Sequence, residues 1–443
     1  MQTSFSLAQL ADPDVLEADK ILRACVHCGF CTATCPTYLL LGDEDDSPRG
    51  RIYLIKDMLE NAEPARREVV KHIDRCLSCL GCMTTCPSGV HYMHLIDHAR
   101  AYVEKTYRRP FVDRLVRSAL LRVMTDPRLF RRVLFAALLA KPMAPLIALV
   151  RLKPLAAMLR LTPWRLPRGS STPDVFPAAG PRRGRVALLS GCVANVLAPE
   201  INKATVRVLT RHGFEVIRVR DEGCCGALAH HMGRKEEAHA AACRNIDAWS
   251  REINAEGIDA ILTTASGCGT TMKDYGFMLR NHPDYAAPAK KIADMCRDVS
   301  EFIHENIRLE YVSRPSLKVA YHPACSLAHG QRVTEAPKQL LSEAGFLLKD
   351  IPESHLCCGS AGTYNMLQSE LANRLRDRKI ANIDKVAPEL IAAGNIGCIT
   401  QIAAGTPIPV VHPIELIDWA TGGSAPKALE RMRWSDAIGD SSE

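Results

Sequence analysis

Short apolar runs alternate with segments of helical period from Gly184 onward. The strand-like runs are RVALLSGC, FEVIRV, DAILTTASGC, LKVAYHPAC, LLKDIPE and PELIAAGNIGC. Between them lie INKATVRVLTRHG, RKEEAHAAACRNIDAW, EAPKQLLSEAG and SELANRLRDRKIANI, in which apolar residues recur at helical spacing. Strands that alternate with helices predict a layered α/β fold with a largely parallel sheet.

This α/β part is an internal repeat, and its cysteines define the register. The first copy contains a single cysteine, a Cys-Cys-Gly triplet and another single cysteine, and the second copy contains the same series. The first cysteine precedes the pair by 32 residues in both copies. Such agreement predicts one duplicated module, whose copies are called repeat 1 (184–312) and repeat 2 (313–425).

The first hundred residues follow another pattern, in which two cysteine-dense runs flank a helix-like segment from Arg51 to His72. Both runs have the spacing C-x2-C-x2-C-x3-C-P, which is the spacing of bacterial ferredoxins with [4Fe–4S] clusters. In two-cluster ferredoxins the fourth cysteine of each run ligates the cluster of the other run. The predicted ligands are therefore crossed: Cys25, Cys28, Cys31 and Cys86 for cluster 1, and Cys76, Cys79, Cys82 and Cys35 for cluster 2. Structural zinc sites usually show two CxxC pairs with a longer gap, so the spacing favours iron–sulfur clusters.

The predicted fold class is α/β overall, with an N-terminal helical ferredoxin-like two-cluster module followed by a duplicated α/β cysteine-rich module. Between them, short Leu-, Ala- and Arg-rich helices end in a stretch from Pro163 to Pro181 that is typical of a linker. The predicted domains are 1–100 (ferredoxin-like), 101–183 (basic segment and linker), the two repeats, and a tail of residues 426–443.

The repeated cysteines are candidates for further metal sites. Each single cysteine follows a predicted strand, where open α/β sheets place ligand sites, and each pair precedes a predicted helix, whose N-terminal field favours thiolates. Four thiolates per repeat suit a third and a fourth metal centre, either iron–sulfur or zinc; the alternative is a pair of repeats that retain buried thiols without metal. The candidate ligands are Cys192, Cys224, Cys225, Cys268, Cys325, Cys357, Cys358 and Cys398.

Other cysteines and histidines have a weaker signal. Cys243 and Cys296 have no counterpart in the other repeat, so they are predicted core residues. Four histidines lie near the repeated cysteines, and for each of them a structural role is favoured over a role as ligand or proton relay. They are His230, His231, His322 and His355.

Composition places the chain among ordinary globular proteins. It has 443 residues, of which 47% are hydrophobic and 24% charged. The N-terminal sequence lacks the pattern of a secretory signal, and the longest apolar stretch, Val133 to Val150, is interrupted by Lys141 and Pro142. We therefore expect a cytoplasmic protein whose 18 cysteines hold metal or do redox chemistry instead of forming disulfides.

The net charge of +7 hides a strong asymmetry. Residues 100–185 contain 19 Lys and Arg against 4 Asp and Glu, which leaves the rest of the chain at −8. RLVRSALLRV and RLFRRVLFAALLA place Arg beside a Leu-rich face, as in helices that lie on a membrane surface. The segment is thus a predicted peripheral membrane or partner contact, or else a solvated face that covers the ferredoxin-like module. It is poor in aromatic residues and matches no recognised module, so nucleic-acid binding is disfavoured.

Several motifs are missing from the sequence. No G-x-G-x-x-G follows a strand, and there is no P-loop or nucleophile elbow. Nothing in the sequence therefore indicates a flavin or nicotinamide site, and no catalytic residue is predicted on this chain. Oxidation of an organic substrate requires a partner that accepts the hydride.

The segments ILRACVHCGFCTATCPTY, SPRGRIYLIK, CLSCLGCMTTCPSGV, SHLCCGSAGTYN and NIGC resemble the iron–sulfur subunits of bacterial glycolate oxidase. The resemblance extends from about Leu16 to Ala420 and is weakest in the basic segment. It implies a complex in which an FAD-containing subunit oxidises glycolate to glyoxylate. This chain would then carry the electrons toward a respiratory quinone, on the cytoplasmic face of the inner membrane.

The repeated module also resembles heterodisulfide reductase subunits, lactate-utilisation proteins and the iron–sulfur subunit of anaerobic glycerol-3-phosphate dehydrogenase. A relay role for lactate or glycerol-3-phosphate, or a thiol reductase, are thus the alternatives. Reductases of this kind carry a further cysteine three positions after the last one shared here, which gives the spacing CxxC. Thr271 and Gln401 occupy those positions, which argues against the reductase.

Overall fold

The computed structural model of the chain describes residues 1–143 and 174–429, together with Leu159, Thr162 and Pro167. The predicted linker and the C-terminal tail lie mostly outside these residues. Within the described part, a helical N-terminal region is followed by two sheets flanked by helices. This arrangement confirms the predicted α/β class.

The first hundred residues are helical. Two helices, Pro48–Glu60 and Arg67–Asp74, occupy the segment predicted as one, because Ala62 adopts a left-handed φ of 51° and Pro64 cannot continue a helix. The core consists of fully buried apolar side chains, among them Leu22, Ile55, Ile73, Leu95 and Ile96. The other helices are Leu7–Leu10, Pro13–Ala24, Pro36–Leu41, Gly81–Thr85 and Tyr92–Thr106, with 3-10 turns at Phe30–Thr32 and Glu44–Asp46.

The basic segment begins as two helices, Phe111–Thr125 and Pro127–Ala140. Asp126 lies between them and caps the second helix, since its carboxylate accepts two backbone N–H groups of the first turn at 2.8 and 3.1 Å. The segment is anchored to the ferredoxin-like module by the buried Arg109, whose Nη1 lies 2.7 Å from Oδ2 of Asp74.

Each repeat forms its own sheet. The first sheet contains β1 (Val175–Phe176), β2 (Gly184–Leu188), β3 (Phe214–Ile217), β4 (Ala260–Thr263) and β5 (Cys296–Asp298), in the order β1-β3-β2-β4-β5. The second contains β6 (Lys318–His322), β7 (Leu347–Lys349), β8 (Leu390–Ala393) and β9 (Val410–Val411), in the order β7-β6-β8-β9. All described pairings are parallel except that of β1 with β3.

Helices flank both sheets. In repeat 1 they are Ala194–Leu197, Pro199–Arg211, Ala227–His231, Lys235–Ala255, Ser266–Lys273, Tyr275–Met278, Ala286–Met295 and Val299–Asn306. In repeat 2 they are Ala336–Glu343, Tyr364–Leu367, Ser369–Asp384, Ile396–Ala403 and Pro413–Ala420, with a π-helical turn at Ser326–Gly330. Two short 3-10 turns lie outside the repeats, at Lys141–Met143 in the basic segment and at Lys427–Leu429 after repeat 2.

The two sheets confirm the duplication predicted from the cysteines. The order β3-β2-β4-β5 in repeat 1 corresponds strand for strand to β7-β6-β8-β9 in repeat 2. The strand order reverses between β2 and β4 in the first sheet and between β6 and β8 in the second. Ligands of open α/β sheets bind beside such a point, at the carboxyl ends of the strands. Strand β1 is additional and lies inside the predicted linker, where two residues gave no periodicity to detect.

The ferredoxin-like module contacts both repeats. Toward repeat 1, Nε2 of His94 lies 2.8 Å from Oδ1 of Asp274. Toward repeat 2, Oγ1 of Thr84 lies 2.8 Å from Nδ1 of His329. The two repeats also contact each other, as Asp418 of repeat 2 pairs with arginines of the helix Pro199–Arg211. The cysteines of all three regions are thereby brought near one another.

Candidate metal centres

The two ferredoxin-type runs have the same backbone conformation. His27 and Gly29 in the first run, and Ser78 and Leu80 in the second, have positive φ values of 58°, 88°, 50° and 62°. These residues occupy the second and fourth positions after the first cysteine of each run. Left-handed residues at these points curl the chain, and three non-glycine residues adopt this costly conformation. This strained conformation, present in both loops, indicates that each loop curves around a bound group.

The first group of thiols combines both runs. Cys25, Cys28 and Cys31 line one small cavity together with Cys86. Cys86 is the fourth cysteine of the second run and lies 51 residues after Cys35, the fourth cysteine of the first. Cys82 also lines this cavity. Cys25, Cys28, Cys31 and Cys86 are called the first ferredoxin group; Cys28 is its exposed member.

The second ferredoxin group consists of Cys76, Cys79, Cys82 and Cys35, all of them buried. The buried Arg51 lies against it, with Nη1 3.8 Å from the sulfur of Cys35. The opposite side of the guanidinium pairs with Asp46 at 3.2 Å. Burial opposes the charge of Arg51, but the neighbouring thiols and Asp46 hold its pKa above the usual range. A buried positive charge at this point stabilises thiolate or a negatively charged cluster.

Three of these thiols have a raised pKa in the absence of metal. Burial raises the pKa of Cys31 to about 11. Burial, together with the surrounding thiols, raises the pKa of Cys79 and of Cys82 well above the usual range. Metal binding replaces these protons, because a ligating cysteine is a thiolate. Eight thiols in two groups, with curled loops and a buried arginine, fit two [4Fe–4S] clusters.

In repeat 1, the candidate ligands follow three strands: Cys192 comes after β2, the pair Cys224 and Cys225 after β3, and Cys268 after β4. The sulfurs of Cys192 and Cys224 are 3.6 Å apart. Hydrogen bonds from Cys192 and Cys225 lower the pKa of Cys224, and the same contact raises that of Cys192. The loop is held by the buried Asn245, which binds the N–H of Gly223 at 2.8 Å and the carbonyl of Cys224 at 3.1 Å. Cys268 completes the set as a hydrogen-bond partner of Cys225.

In repeat 2, the sulfurs of Cys325 and Cys357 are 3.8 Å apart. The sulfurs of Cys358 and Cys398 lie within 4.8 Å of each other and of a ring nitrogen of His322. The hydrogen bond to Cys357 and burial raise the pKa of Cys325 well above the usual range. Repeat 2 thus offers four thiols in two close pairs, and one of these pairs lies beside an imidazole.

The glycine of each Cys-Cys-Gly triplet is required by packing. Gly226 and Gly359 have φ values of 85° and 89°. A Cβ at Gly226 would lie 3.0 Å from the carbonyl oxygen of Ala238, and a Cβ at Gly359 would lie 2.4 Å from that of Ala372. The loop that carries the cysteine pair therefore sits directly on the backbone of the following long helix.

Helices follow both cysteine pairs, but they begin differently in the two repeats. The first pair leads directly into the helix Ala227–His231, which has only five residues. The second pair is followed by a turn at residues 360–363, and the helix Tyr364–Leu367 begins only afterwards. No long helix starts at either pair, since Gly226 and Gly359 must take left-handed conformations. The thiols are instead influenced by one another.

All eight repeated cysteines line one cavity of about 330 Å³. Apolar side chains of the basic helices, including Leu120, Phe130 and Leu134, complete its wall. Repeat 2 also contacts the second ferredoxin group, because Cys79 and Cys357 belong to one buried apolar cluster that includes Tyr364. The thiols thus form a continuous series from the first ferredoxin group to the repeats.

The remaining sequence-predicted residues have structural environments, with one exception. His230 and His231 lie 3.2 and 3.5 Å from the carboxylate of Asp97. The side chain of His355 is exposed. Cys296 is buried in the core and Cys243 packs against it, as predicted. The exception is His322, whose ring nitrogens have no hydrogen-bond partner among the described residues.

Two residues near the thiols were missed in the sequence. For Arg51, the apolar pattern predicts only that it begins a helical segment. Lys379 is buried, and its ammonium donates to the carbonyls of Glu353 and Ser354 at 2.8 and 3.3 Å beside the second cysteine pair. The available signal was its position: it continues the apolar stripe of Leu371 and Leu375 at intervals of four residues.

Two family models match the chain. One, described as a 4Fe-4S dicluster domain, matches residues 21–90, and the other, described as a cysteine-rich domain, matches residues 186–273 and 319–403. The first range contains all eight cysteines of the ferredoxin-type runs, and the other two contain all eight repeated cysteines. No helix within the described residues has the length and hydropathy needed to cross a membrane.

Curated relatives cover nearly the whole chain. The glycolate oxidase iron–sulfur subunit of Escherichia coli (strain K12) is 43% identical over 420 residues, which is 95% of this chain and 99% of that protein. A probable glycolate oxidase iron–sulfur subunit of Bacillus subtilis (strain 168) is 30% identical and covers 87% of this chain and 89% of its own length. Lactate utilization protein A of Bacillus licheniformis is 27% identical over 53% of this chain and 99% of its own length.

A solved structure shares the fold. The crystal structure of a hypothetical protein from Helicobacter pylori matches 94% of this chain and 74% of its own with a TM-score of 0.55, at 11% sequence identity. This likeness extends the common architecture beyond close relatives. The two relatives named for glycolate oxidase, by contrast, share sequence over almost their full lengths. The chain belongs to the family of glycolate oxidase iron–sulfur subunits.

Proposed function

We propose that the chain is the electron-carrying subunit of a glycolate-oxidising complex. It receives electrons from an FAD-containing subunit that converts glycolate to glyoxylate, and it delivers them toward a respiratory quinone. The observation that carries this proposal is the continuous series of thiols from the exposed Cys28 to the buried pair Cys79 and Cys357. The names of the two long relatives support glycolate as the substrate of the complex.

The ligand sets are crossed in this proposal. Cys25, Cys28, Cys31 and Cys86 hold one [4Fe–4S] cluster, and Cys76, Cys79, Cys82 and Cys35 hold the other. The position of Cys86 in the cavity of the first run supports the exchange. Each cluster, when bound, takes up and releases one electron at a time. The residues of the chain fix the spacing, bury the sulfurs and supply the positive charge of Arg51.

The repeats hold further metal in this proposal. Each presents four cysteines in the segments that follow three neighbouring strands, and the donor atoms are soft thiolates that suit iron–sulfur centres or zinc. The position of repeat 2 against the second ferredoxin group supports a redox centre there. Repeat 1 contributes its cysteines to the wall of the same cavity.

The flavin subunit docks at the first ferredoxin group. Cys28 is exposed there, and Val26 and Phe30 beside it are 67% and 62% exposed. Large apolar side chains at the surface next to a redox site are typical of a partner contact. The chain offers no dinucleotide-binding fingerprint of its own, so the hydride is accepted on the partner.

The basic helices contact the cytoplasmic face of the inner membrane. Phe111, Val112, Leu115, Phe135 and Leu139 are exposed apolar residues of these two helices. Exposed arginines of the same helices accompany them. An apolar surface bordered by arginines suits the interface of an anionic bilayer. This contact places the cavity, whose wall these helices complete, near the membrane from which a quinone would come.

The positions that carry a further cysteine in thiol reductases support a relay over that alternative. Thr271 is buried, and its hydroxyl donates to the carbonyl of Gly267 at 3.3 Å. Gln401 is buried, and its amide donates to the carbonyl of Ala372 and accepts from Asn365, both at 3.1 Å. Both side chains are fixed by hydrogen bonds and neither offers a thiol.

The test of the function is anaerobic purification of the chain with its natural partner, followed by addition of glycolate. We expect glycolate to bleach the cluster absorbance of the complex but not that of the chain alone. Cys28→Ala should abolish this bleaching, whereas Cys243→Ala, which removes a cysteine outside all groups, should not. Bleaching by lactate or glycerol-3-phosphate in place of glycolate would contradict the proposed substrate.

The membrane contact is tested with vesicles that contain an anionic phospholipid. The full chain should sediment with them at low salt and release as ionic strength rises. Replacement of Arg114, Arg128 and Arg132 by Gln should weaken binding. The matched control replaces the exposed Arg220 and Arg251 of repeat 1 and should bind normally. Equal binding to neutral vesicles, or no effect of salt, would contradict the electrostatic contact.

A further inference from the structure

His322 is a buried histidine without a structural partner. It is the last residue of β6, and only 1% of its surface is exposed. Neither Nδ1 nor Nε2 has a hydrogen-bond partner among the described residues. A neutral imidazole has one donor and one acceptor, and leaving both unpaired in the interior costs free energy. Such a residue requires an explanation.

Another buried histidine of the same repeat shows how the fold satisfies an imidazole that is only structural. His412 is also buried, but its Nδ1 accepts from the N–H of Ile414 at 3.1 Å and its Nε2 contacts the carbonyl of Thr264 at 3.0 Å. Both nitrogens are used, and the side chain caps the helix that follows. His322 has no comparable contacts. The difference indicates that a group other than the described side chains pairs with it.

The neighbours of His322 are thiols. One of its ring nitrogens lies within 4.8 Å of the sulfurs of Cys358 and Cys398. The same repeat places Cys325 and Cys357 sulfur to sulfur at 3.8 Å. Imidazole nitrogen and thiolate sulfur are the ligands that iron–sulfur centres and zinc accept in proteins. We propose that His322 is a ligand, through a ring nitrogen, of an iron–sulfur centre held by Cys325, Cys357, Cys358 and Cys398.

The two repeats differ at this point, which gives the proposal independent support. The residue three positions before the first cysteine is His322 in repeat 2 and Leu189 in repeat 1. Leu189 is 2% exposed and packs in the apolar core. A histidine in place of a leucine at an otherwise equivalent interior position has no benefit for packing. It is explained if repeat 2 needs a nitrogen donor that repeat 1 does not.

The number and position of the donors favour an iron–sulfur centre over zinc. Five donors exceed the four that structural zinc takes. The site also adjoins the second ferredoxin group through Cys79 and Cys357, which suits a redox centre. In Rieske centres, replacement of cysteine by histidine raises the reduction potential. His322 would therefore give repeat 2 a higher potential than four thiolates alone.

The inference rests on the part of the proposed function in which repeat 2 holds metal, and the test uses the full chain purified anaerobically. The chain is labelled with ¹⁵N-histidine, reduced stepwise, and examined by pulsed EPR, with iron and zinc counted per chain. We expect a strong nitrogen coupling to one paramagnetic centre. His322→Leu, which introduces the residue of repeat 1, should abolish the coupling and reduce the iron retained at repeat 2 under chelator challenge by roughly tenfold or more.

Two further variants keep the result interpretable. His322→Cys should retain iron but lose the nitrogen coupling, because a thiolate replaces the imidazole. His355→Leu, at an exposed position of the same repeat, should change neither quantity. A wild-type chain without strong nitrogen coupling, or with zinc in place of iron at repeat 2, would overturn the inference.

The failure of this inference and of the proposed function give different results. Glycolate-driven bleaching of the ferredoxin-type clusters without nitrogen coupling would leave the function intact and remove the role of His322. Nitrogen coupling that depends on His322, without any reduction by glycolate, would retain the ligand and remove the proposed substrate. Both readouts are therefore taken on the labelled full chain co-purified with its natural partner.

Discussion

Repeat 1 and repeat 2 carry their cysteines on the same strand order, yet the side chains around the two cysteine sets differ. The position of Leu189 in repeat 1 is taken by His322 in repeat 2. On the long helix that supports the cysteine pair, Asn245 of repeat 1 corresponds to Lys379 of repeat 2, if Ala238 and Ala372 are matched by their contacts with the triplet glycines. Repeat 1 is thus apolar and neutral where repeat 2 is basic.

The surroundings of the repeats differ in the same sense. Repeat 2 shares a buried cluster with Cys79 of the second ferredoxin group. Repeat 1 meets the ferredoxin-like module through ion pairs of His94 and Asp97 instead. The two copies share one scaffold, but at these two positions only the copy beside the second ferredoxin group has a buried histidine and a buried lysine. A shared scaffold therefore does not imply a shared task.

The largest expected effect comes from the contact between repeat 2 and the ferredoxin-like module. Cys79→Ala should remove the second ferredoxin cluster and stop glycolate-driven turnover, since one of its four thiols is lost. The flavin partner should stay bound, because its proposed docking site is at Cys28. The measurements are iron per chain, turnover and co-purified flavin.

The matched variant lies in the other repeat. Cys225→Ala in repeat 1 should leave both ferredoxin-type clusters in place, because Cys225 belongs to neither group. The comparison fails if Cys79→Ala retains the full iron content, or if Cys225→Ala loses as much iron from the ferredoxin-type clusters.

The second effect concerns the triplet glycines. Gly359→Ala should lower the free energy of unfolding of repeat 2 by about 3 kcal/mol or more, because a left-handed alanine costs about 1–2 kcal/mol and its Cβ meets a backbone oxygen at 2.4 Å. Gly226→Ala has the same φ penalty but a contact of 3.0 Å, so we expect about 2 kcal/mol in repeat 1. Native-state hydrogen exchange measures each repeat separately. Equal losses of unfolding free energy in both repeats would show that repeat 2 adjusts its structure to relieve the contact between the new Cβ and the carbonyl oxygen of Ala372.

Local patterns predicted much of this architecture. Apolar periodicity located six of the nine described strands (β2, β3, β4, β6, β7 and β8), and cysteine spacing located the ferredoxin-type runs and the repeat, because both signals lie in neighbouring residues. Contacts between residues distant in sequence, such as Cys79 with Cys357, leave no such signal. The sequence also favoured a structural role for His322, since a lone histidine near a cysteine does not reveal that its nitrogens are unpaired. Strand β1 and the break after Glu60 depended on two-residue and single-residue features.

The third effect concerns charge. The Lys379 ammonium lies close enough to Cys358 and Cys357 for these thiols to favour its charged form, although burial lowers its pKa. At an effective dielectric of about 20, removal of one charge changes the free energy of reduction of a nearby centre by roughly 1–2 kcal/mol. Lys379→Met should therefore lower the reduction potential of a centre in repeat 2 by about 40–90 mV for one electron.

The control for this shift is the residue directly after the same helix. Lys385→Met removes a lysine whose side chain is exposed, so solvent screens its effect and the potential should stay within about 15 mV. Both variants are measured by anaerobic redox titration followed by EPR. Equal shifts in the two variants would mean that net charge, and not the buried lysine, sets the potential.

The smallest effect is a pH dependence of opposite sign at the two contacts with the ferredoxin-like module. Burial opposes protonation of His230, but its contact with Asp97 holds the pKa above the usual value. Burial lowers the pKa of His329, which contacts Thr84 at the other interface. A raised histidine pKa gives stability that is present below the unfolded value near 6.5 and is lost as pH rises through the folded value. A lowered histidine pKa gives stability that is present above the unfolded value and is lost as pH falls through the folded value.

Lowering the pH from about 8 to about 6 should therefore strengthen the contact of repeat 1, and further acidification should weaken the contact of repeat 2, each by about 1 kcal/mol or less. Hydrogen exchange, corrected for the intrinsic pH dependence of the amides, measures protection at the two contacts in one sample. His230→Gln should remove the first trend only, and His329→Gln the second only, because glutamine keeps a polar side chain without titrating. If both contacts change in the same direction, the charge of these histidines does not distinguish the repeats. Opposite trends would instead show that even the attachment of the two copies has diverged, with an ion pair on one side and a neutral histidine on the other.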